Sequence, residues 1–157
     1  MAKSCPLDLF WDFEFADITK VKPPDTRGVY VIQVRKAGIP ASELIKKLAP
    51  HISRLQWKMA QDNLLDRISR ILNIADCPIL YIGSAGKNPT SKGTLAGRHR
   101  DLTRNHPAKL PLLALLYFGW ELDFGWKVTD NPRELEAELK NKYQTRGQQK
   151  IPALAMR

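Results

Sequence analysis

Two short β-branched runs stand far apart in the chain: Gly28-Val29-Tyr30-Val31-Ile32-Gln33-Val34 and Ile79-Leu80-Tyr81-Ile82-Gly83. Val, Ile and Tyr at this density predict strands. The second run is apolar at consecutive positions, which suits a strand buried on both faces. Between them, Leu44, Ile45 and Leu48, then Ile52, Leu55 and Met59, then Leu64, Ile68 and Ile71 recur at helical spacing, interrupted at Pro50. Asn73 and Asp76-Cys77-Pro78 close that segment. The chain must therefore accommodate a helical insert of about 41–76 between two strands.

The remaining punctuation is equally local. Residues 1–27 read as irregular, but Phe10, Trp11, Phe13 and Phe15 alternate with acidic residues, as in a short strand or an arm packed on the domain. Pro23-Pro24-Asp25 marks a turn. Thr94 is placed to cap a helix running to about Asn105. Leu112 to Phe118 fits helix or strand, and Leu122 to Thr129 fits a strand. Asp130-Asn131-Pro132 opens a second helix, which reaches about Tyr143 and stops at Gly147. Strand, helical insert, strand, helix, strand, helix is an α/β (α+β) order, and 157 residues suit one domain spanning 1–157.

Hydrophobic residues make up 43% of the chain and charged ones 26%, enough for a real core at this length. The formal net charge of +9 favours polyanionic partners. Its distribution says more. Lys92, Arg98, Arg100, Arg104 and Lys109, with His99 and His106, form a basic stretch opposed only by Asp101. Glu121, Asp123, Asp130, Glu134, Glu136 and Glu138 then reverse the sign. A basic wall beside an acidic pocket suits a metal-dependent enzyme acting on a polyanion, though solvated helix faces give the same pattern. No apolar run is long enough to cross a bilayer, and no signal-like segment precedes Asp8 and Asp12, so no membrane partner is expected. Cys5 and Cys77 lack metal-ligand spacing and suit reduced thiols in a cytoplasmic protein.

The triplets Gly28-Val29-Tyr30 and Tyr81-Ile82-Gly83, with Arg98 and Glu136 following in order on predicted helices, resemble the GIY-YIG nuclease family. The resemblance covers 28–34 and 79–143. It extends to Ser84-Ala85 after the second triplet, and to Glu136-Ala137-Glu138-Leu139 with Tyr143 beyond. It implies a small three-stranded sheet flanked by helices, with the insert placed between the first two strands. It also implies that Tyr30 is the general base and Tyr81 orients the water or the phosphate, while Arg98 clamps phosphate and Glu136 holds one Mg²⁺ or Mn²⁺. Two departures are visible. Leu102 stands where the family often has a histidine, and Pro152 is followed by Ala153 where it tends to have an asparagine; Asn141 or Gln148 would have to replace that support.

The residue types suit these roles. A free tyrosine ionises near pH 10, so a base at neutral pH needs a nearby cation or a proton relay. A guanidinium can donate two hydrogen bonds to a phosphate. One carboxylate with phosphate oxygens and water suffices for Mg²⁺, and Glu136 shares a helical face with Leu139 and Tyr143. Arg100 and Arg104 compete with Arg98, and Glu134 and Glu138 with Glu136. Lys87, Lys92, His99 and His106 are accessory candidates. Arg100, Arg104 and Lys109, and the insert residues Lys46, Lys47, Arg54 and Lys58, are candidates for DNA backbone contact. Arg35, Lys36, Arg67 and Arg70 extend the basic character of the insert, which suits either DNA or a homodimer face.

These expectations describe a metal-dependent endonuclease acting on DNA, of restriction or defence type, with no organic cofactor. The alternatives are a non-catalytic nucleic-acid-binding module of the same fold and a repair nuclease specific for branched or single-stranded DNA.

Overall fold

A computed structural model describes residues 6–40, 42–44, 46–47, 78–86, 93–102, 112 and 115–147. The described strands are β1 (Glu14–Asp17), β2 (Gly28–Lys36), β3 (Ile79–Ala85) and β4 (Glu121–Val128); α1 (Leu95–Leu102) and α2 (Pro132–Gly147) are the long helices among the described residues. The strands form one antiparallel sheet in the order β1-β4-β2-β3. The architecture is therefore α+β. The expected three strands become four, because the N-terminal arm supplies β1. Its Phe15 pairs with Gly125 across the strands and occupies the space that a side chain at Gly125 would need. A four-residue strand can dock on the sheet edge because its neighbour leaves that space open.

Both predicted motif strands form, and they are neighbours. In β2 and β3, Tyr30 pairs with Gly83 and Ile32 with Tyr81, before a shift after Ile32 brings Gln33 opposite Ile79. Of the intervening insert, residues 42–44 and 46–47 are helical, and Leu44 is fully buried. The rest of the proposed insert, Cys5 and Cys77 lie outside the described residues, as does the segment after Pro152. Leu112 to Phe118 resolves as helix at residues 112 and 115–117.

Alternation along β2 builds two cores, one on each face of the sheet. Tyr30 and Ile32 join Leu80, Leu95, Leu102, Trp120 and Phe124 on the α1 face. Val29 and Val31 join Phe10, Phe13, Ile82, Leu139 and Tyr143 on the α2 face. The α1 entry is held firmly. The Gly97 N–H donates to Thr94 Oγ1 at 3.0 Å, Thr94 Oγ1 donates to Asp25 at 2.7 Å, and the Leu95 N–H donates to the Thr26 carbonyl at 2.8 Å. This cap fixes the start of the helix that carries Arg98. Arg35 departs from its expected place on a DNA- or partner-facing insert: it lies on β2 and binds Asp17 and Asp123. Its charge is used to tie strands together.

Candidate active site

Tyr30 sits on β2, next to the edge strand β3, and is only 1% exposed. Its ring is stacked between Tyr81, at 5.8 Å between centroids, and Phe124, at 5.4 Å. Gly83 makes this possible. A Cβ there would stand 2.5 Å from both Cζ and Oη of Tyr30. The glycine of the second triplet is thus a steric requirement of the tyrosine of the first.

Burial pushes the Tyr30 hydroxyl well above the usual tyrosine range. Tyr81 adds to this through its charge and its hydrogen bond, and Glu136 adds a smaller push; Arg98 acts in the opposite sense. Tyr30 therefore holds its proton at neutral pH. The same interactions show that Tyr30, Tyr81, Arg98 and Glu136 lie within one electrostatic neighbourhood, although they come from β2, β3, α1 and α2.

Arg98 is the unusual member. Its Nε is fully buried and has no hydrogen-bond partner. Its nearest acidic partner, Asp101, stands 3.8 Å from one terminal nitrogen. The side chain as a whole is 35% exposed, so the unmet capacity lies at this one N–H, and leaving a buried donor unpaired costs on the order of 1–3 kcal/mol. Among the described residues no other buried side-chain polar atom is in this state. An anion at this position would satisfy it.

Glu136 is 7% exposed, whereas Glu134 and Glu138 lie on the solvent side of α2. Its Oε2 accepts a hydrogen bond from the buried Ser84 hydroxyl at 2.8 Å. Its Oε1 accepts one from Lys140 at 2.9 Å. Hard oxygen donors of this kind fit Mg²⁺ or Mn²⁺, with Glu136 as the protein carboxylate. Among the described residues no three His, Cys, Asp or Glu side chains form a closed metal cage.

His99 lies on α1, but its Nε2 donates to the Ile18 carbonyl at 2.8 Å and its ring packs edge-on against Phe124. It supports the wall behind Tyr30. Leu102, at the position of the family's frequent histidine, is buried in the core. Arg100 is exposed on α1, and Lys46 and Lys47 are exposed on the helical residues of the insert. Asn141 is exposed on α2. Lys87, Lys92, His106, Arg104, Lys109, Arg54, Lys58 and Gln148 lie outside the described residues. Ser84 and Lys140 were not singled out for the site by the sequence. Lys140 was legible as the residue four beyond Glu136 on a helix, and Ser84 as sharing a strand face with Ile82.

No protein-family model, no curated protein and no solved structure matches the chain.

Proposed function

We propose that this chain is a metal-dependent endonuclease of GIY-YIG type that hydrolyses DNA phosphodiester bonds in the cytoplasm, in a restriction or defence role. The observation that carries this reading is the buried, unpartnered Nε of Arg98, on the helix packed against the Tyr30 face of the sheet, with Arg98, Tyr81 and Glu136 all within electrostatic reach of Tyr30. A phosphodiester is the anion whose hydrolysis uses all four. The net charge of +9 favours a DNA-sized polyanion.

In this reading Arg98 takes a phosphate oxygen with Nε and a terminal nitrogen, and stabilises the charge that develops there. Tyr30 receives a proton from the attacking water while its own proton passes to Tyr81, and the Tyr81 proton passes to solvent. This relay avoids a free buried phenolate, which the environment of Tyr30 opposes. Phe124 and Gly83 hold the Tyr30 ring in place. Glu136 would hold Mg²⁺ or Mn²⁺, which would supply neutralisation of the charge that develops on the phosphodiester.

Leu102 in place of a histidine favours one second reading, a nucleic-acid-binding module of the same fold. Incubating plasmid and single-stranded DNA with Mg²⁺ or Mn²⁺, with wild type and Glu136→Ala in parallel, separates the two. Discrete products lost in the variant support a restriction-type nuclease. A preference for branched or single-stranded DNA moves the role to repair. DNA binding by both proteins without cutting by either supports the module.

A further inference from the structure

Glu136 and Glu138 stand on the same helix, each with a lysine four residues on. Lys142 binds Glu138 at 2.6 Å, and both side chains are half exposed. That is an ordinary surface pair. Glu136 is different. Its side chain is 9% exposed, and its two oxygens have unlike partners. Oε2 is held by Ser84, itself 3% exposed and carried on the rigid β3. Oε1 faces Lys140, whose side chain is 41% exposed and can swing into water.

We propose that Ser84 is a positioning residue for the Glu136 carboxylate and that Lys140 is its resident, displaceable counter-ion, so that the two set the divalent-cation affinity of this site in opposite directions. The inference rests on the reading of Glu136 as a metal ligand.

A neutral hydroxyl bonded to one carboxylate oxygen fixes its orientation without cancelling its charge. Groups that hold a ligand in this way change metal affinity by about 10–100-fold when removed. An ammonium on the other oxygen neutralises the buried carboxylate in the cation-free state. A divalent cation approaching Oε1 meets the repulsion of this ammonium, which is relieved as the exposed Lys140 side chain moves away. Lys140 thereby lowers the cost of burying Glu136 alone and opposes cation binding by the strength of an exposed pair.

The test is Mn²⁺ binding by the full chain without DNA, read from the loss of the free-ion electron paramagnetic resonance signal, with folding checked by circular dichroism. Ser84→Ala is expected to weaken binding about tenfold. Lys140→Met is expected to tighten it about three- to fivefold, Lys140→Arg to stay near wild type, and Lys142→Met to change nothing. Equal tightening by Lys140→Met and Lys142→Met would reduce the effect to general charge and overturn the proposal. So would unchanged affinity in Lys140→Met, which is exposed enough to fold whatever Ser84→Ala does, or absence of Mn²⁺ binding in every variant. Glu136→Ala separates the levels. If it abolishes binding while the Ser84 and Lys140 variants do nothing, only this inference fails; if it leaves binding intact, the metal-ligand reading fails with it.

Discussion

Two arginines mark two differently used regions of the molecule. Near the end of β2, Arg35 donates to Asp123 at 2.6 Å and Asp17 at 2.9 Å, with Glu121 at 3.7 Å. Its partners come from β1 and β4, so one guanidinium ties three strands. Beside Tyr30, at the start of β2, Arg98 keeps a buried Nε without a partner and only a long contact to Asp101. The contrast teaches that the Arg35 guanidinium is used within the fold, while Arg98 keeps a buried donor that the fold does not use, which is the donor the proposed function assigns to phosphate.

The largest effect is expected at Tyr30. Tyr30→Phe keeps the ring between Phe124 and Tyr81 but removes the oxygen to which the proposed function gives the proton transfer. Metal-dependent cleavage should fall by about 10²–10⁴-fold, with the melting temperature little changed, as read by single-turnover kinetics and calorimetry. A large loss of stability with retained cleavage would make Tyr30 a core residue only.

A smaller effect is expected at Gly83. Gly83→Ala places a methyl 2.5 Å from the Tyr30 hydroxyl, so the ring must shift or the strands separate. Urea unfolding should show a loss of about 1–3 kcal/mol, and cleavage should fall with it. A neutral result would mean that the close packing of the two triplets is unimportant.

The smallest effect belongs to the other arginine. Arg35 is 41% exposed at the side chain, so solvent screening limits Arg35→Ala to about 1 kcal/mol of stability. Cleavage should be unchanged. Asp17 adds a pH signature. Hydrogen bonds from the Thr19 hydroxyl, then from Arg35, hold its carboxyl well below the usual range. Its contribution is therefore full above the unfolded value of about 4 and is lost as pH falls towards the depressed folded value. Urea midpoints measured across the acid range should fall less steeply for Arg35→Ala than for wild type, because Thr19 alone then holds the carboxylate. Parallel slopes would remove Arg35 from that linkage.

The parts that the sequence made legible are those fixed by local pattern. The β-branched runs define β2 and β3, the Asp130-Asn131-Pro132 start defines α2, and Glu136 shares its face with Leu139 and Tyr143. What escaped depends on partners distant in the chain. β1 is legible as a short strand or an arm, but its seat beside β4 as a fourth strand depends on Phe15 finding Gly125. Arg35 reads as an insert-edge cation until the fold brings it to Asp17 and Asp123. His99 reads as a catalytic accessory until its nitrogen meets the Ile18 carbonyl. Ser84 reads as the tail of a motif until α2 lowers Glu136 onto it. Composition cannot announce such pairings, because each requires two elements to have packed already.

The most direct measurement is single-turnover cleavage of plasmid DNA with Mn²⁺ by Arg98→Ala and Arg35→Ala beside wild type, each with its melting temperature. The account predicts a loss of about 10²–10³-fold in cleavage for Arg98→Ala at near-normal stability, and normal cleavage at reduced stability for Arg35→Ala. Undiminished cleavage by Arg98→Ala, or the same loss in both variants, would contradict it.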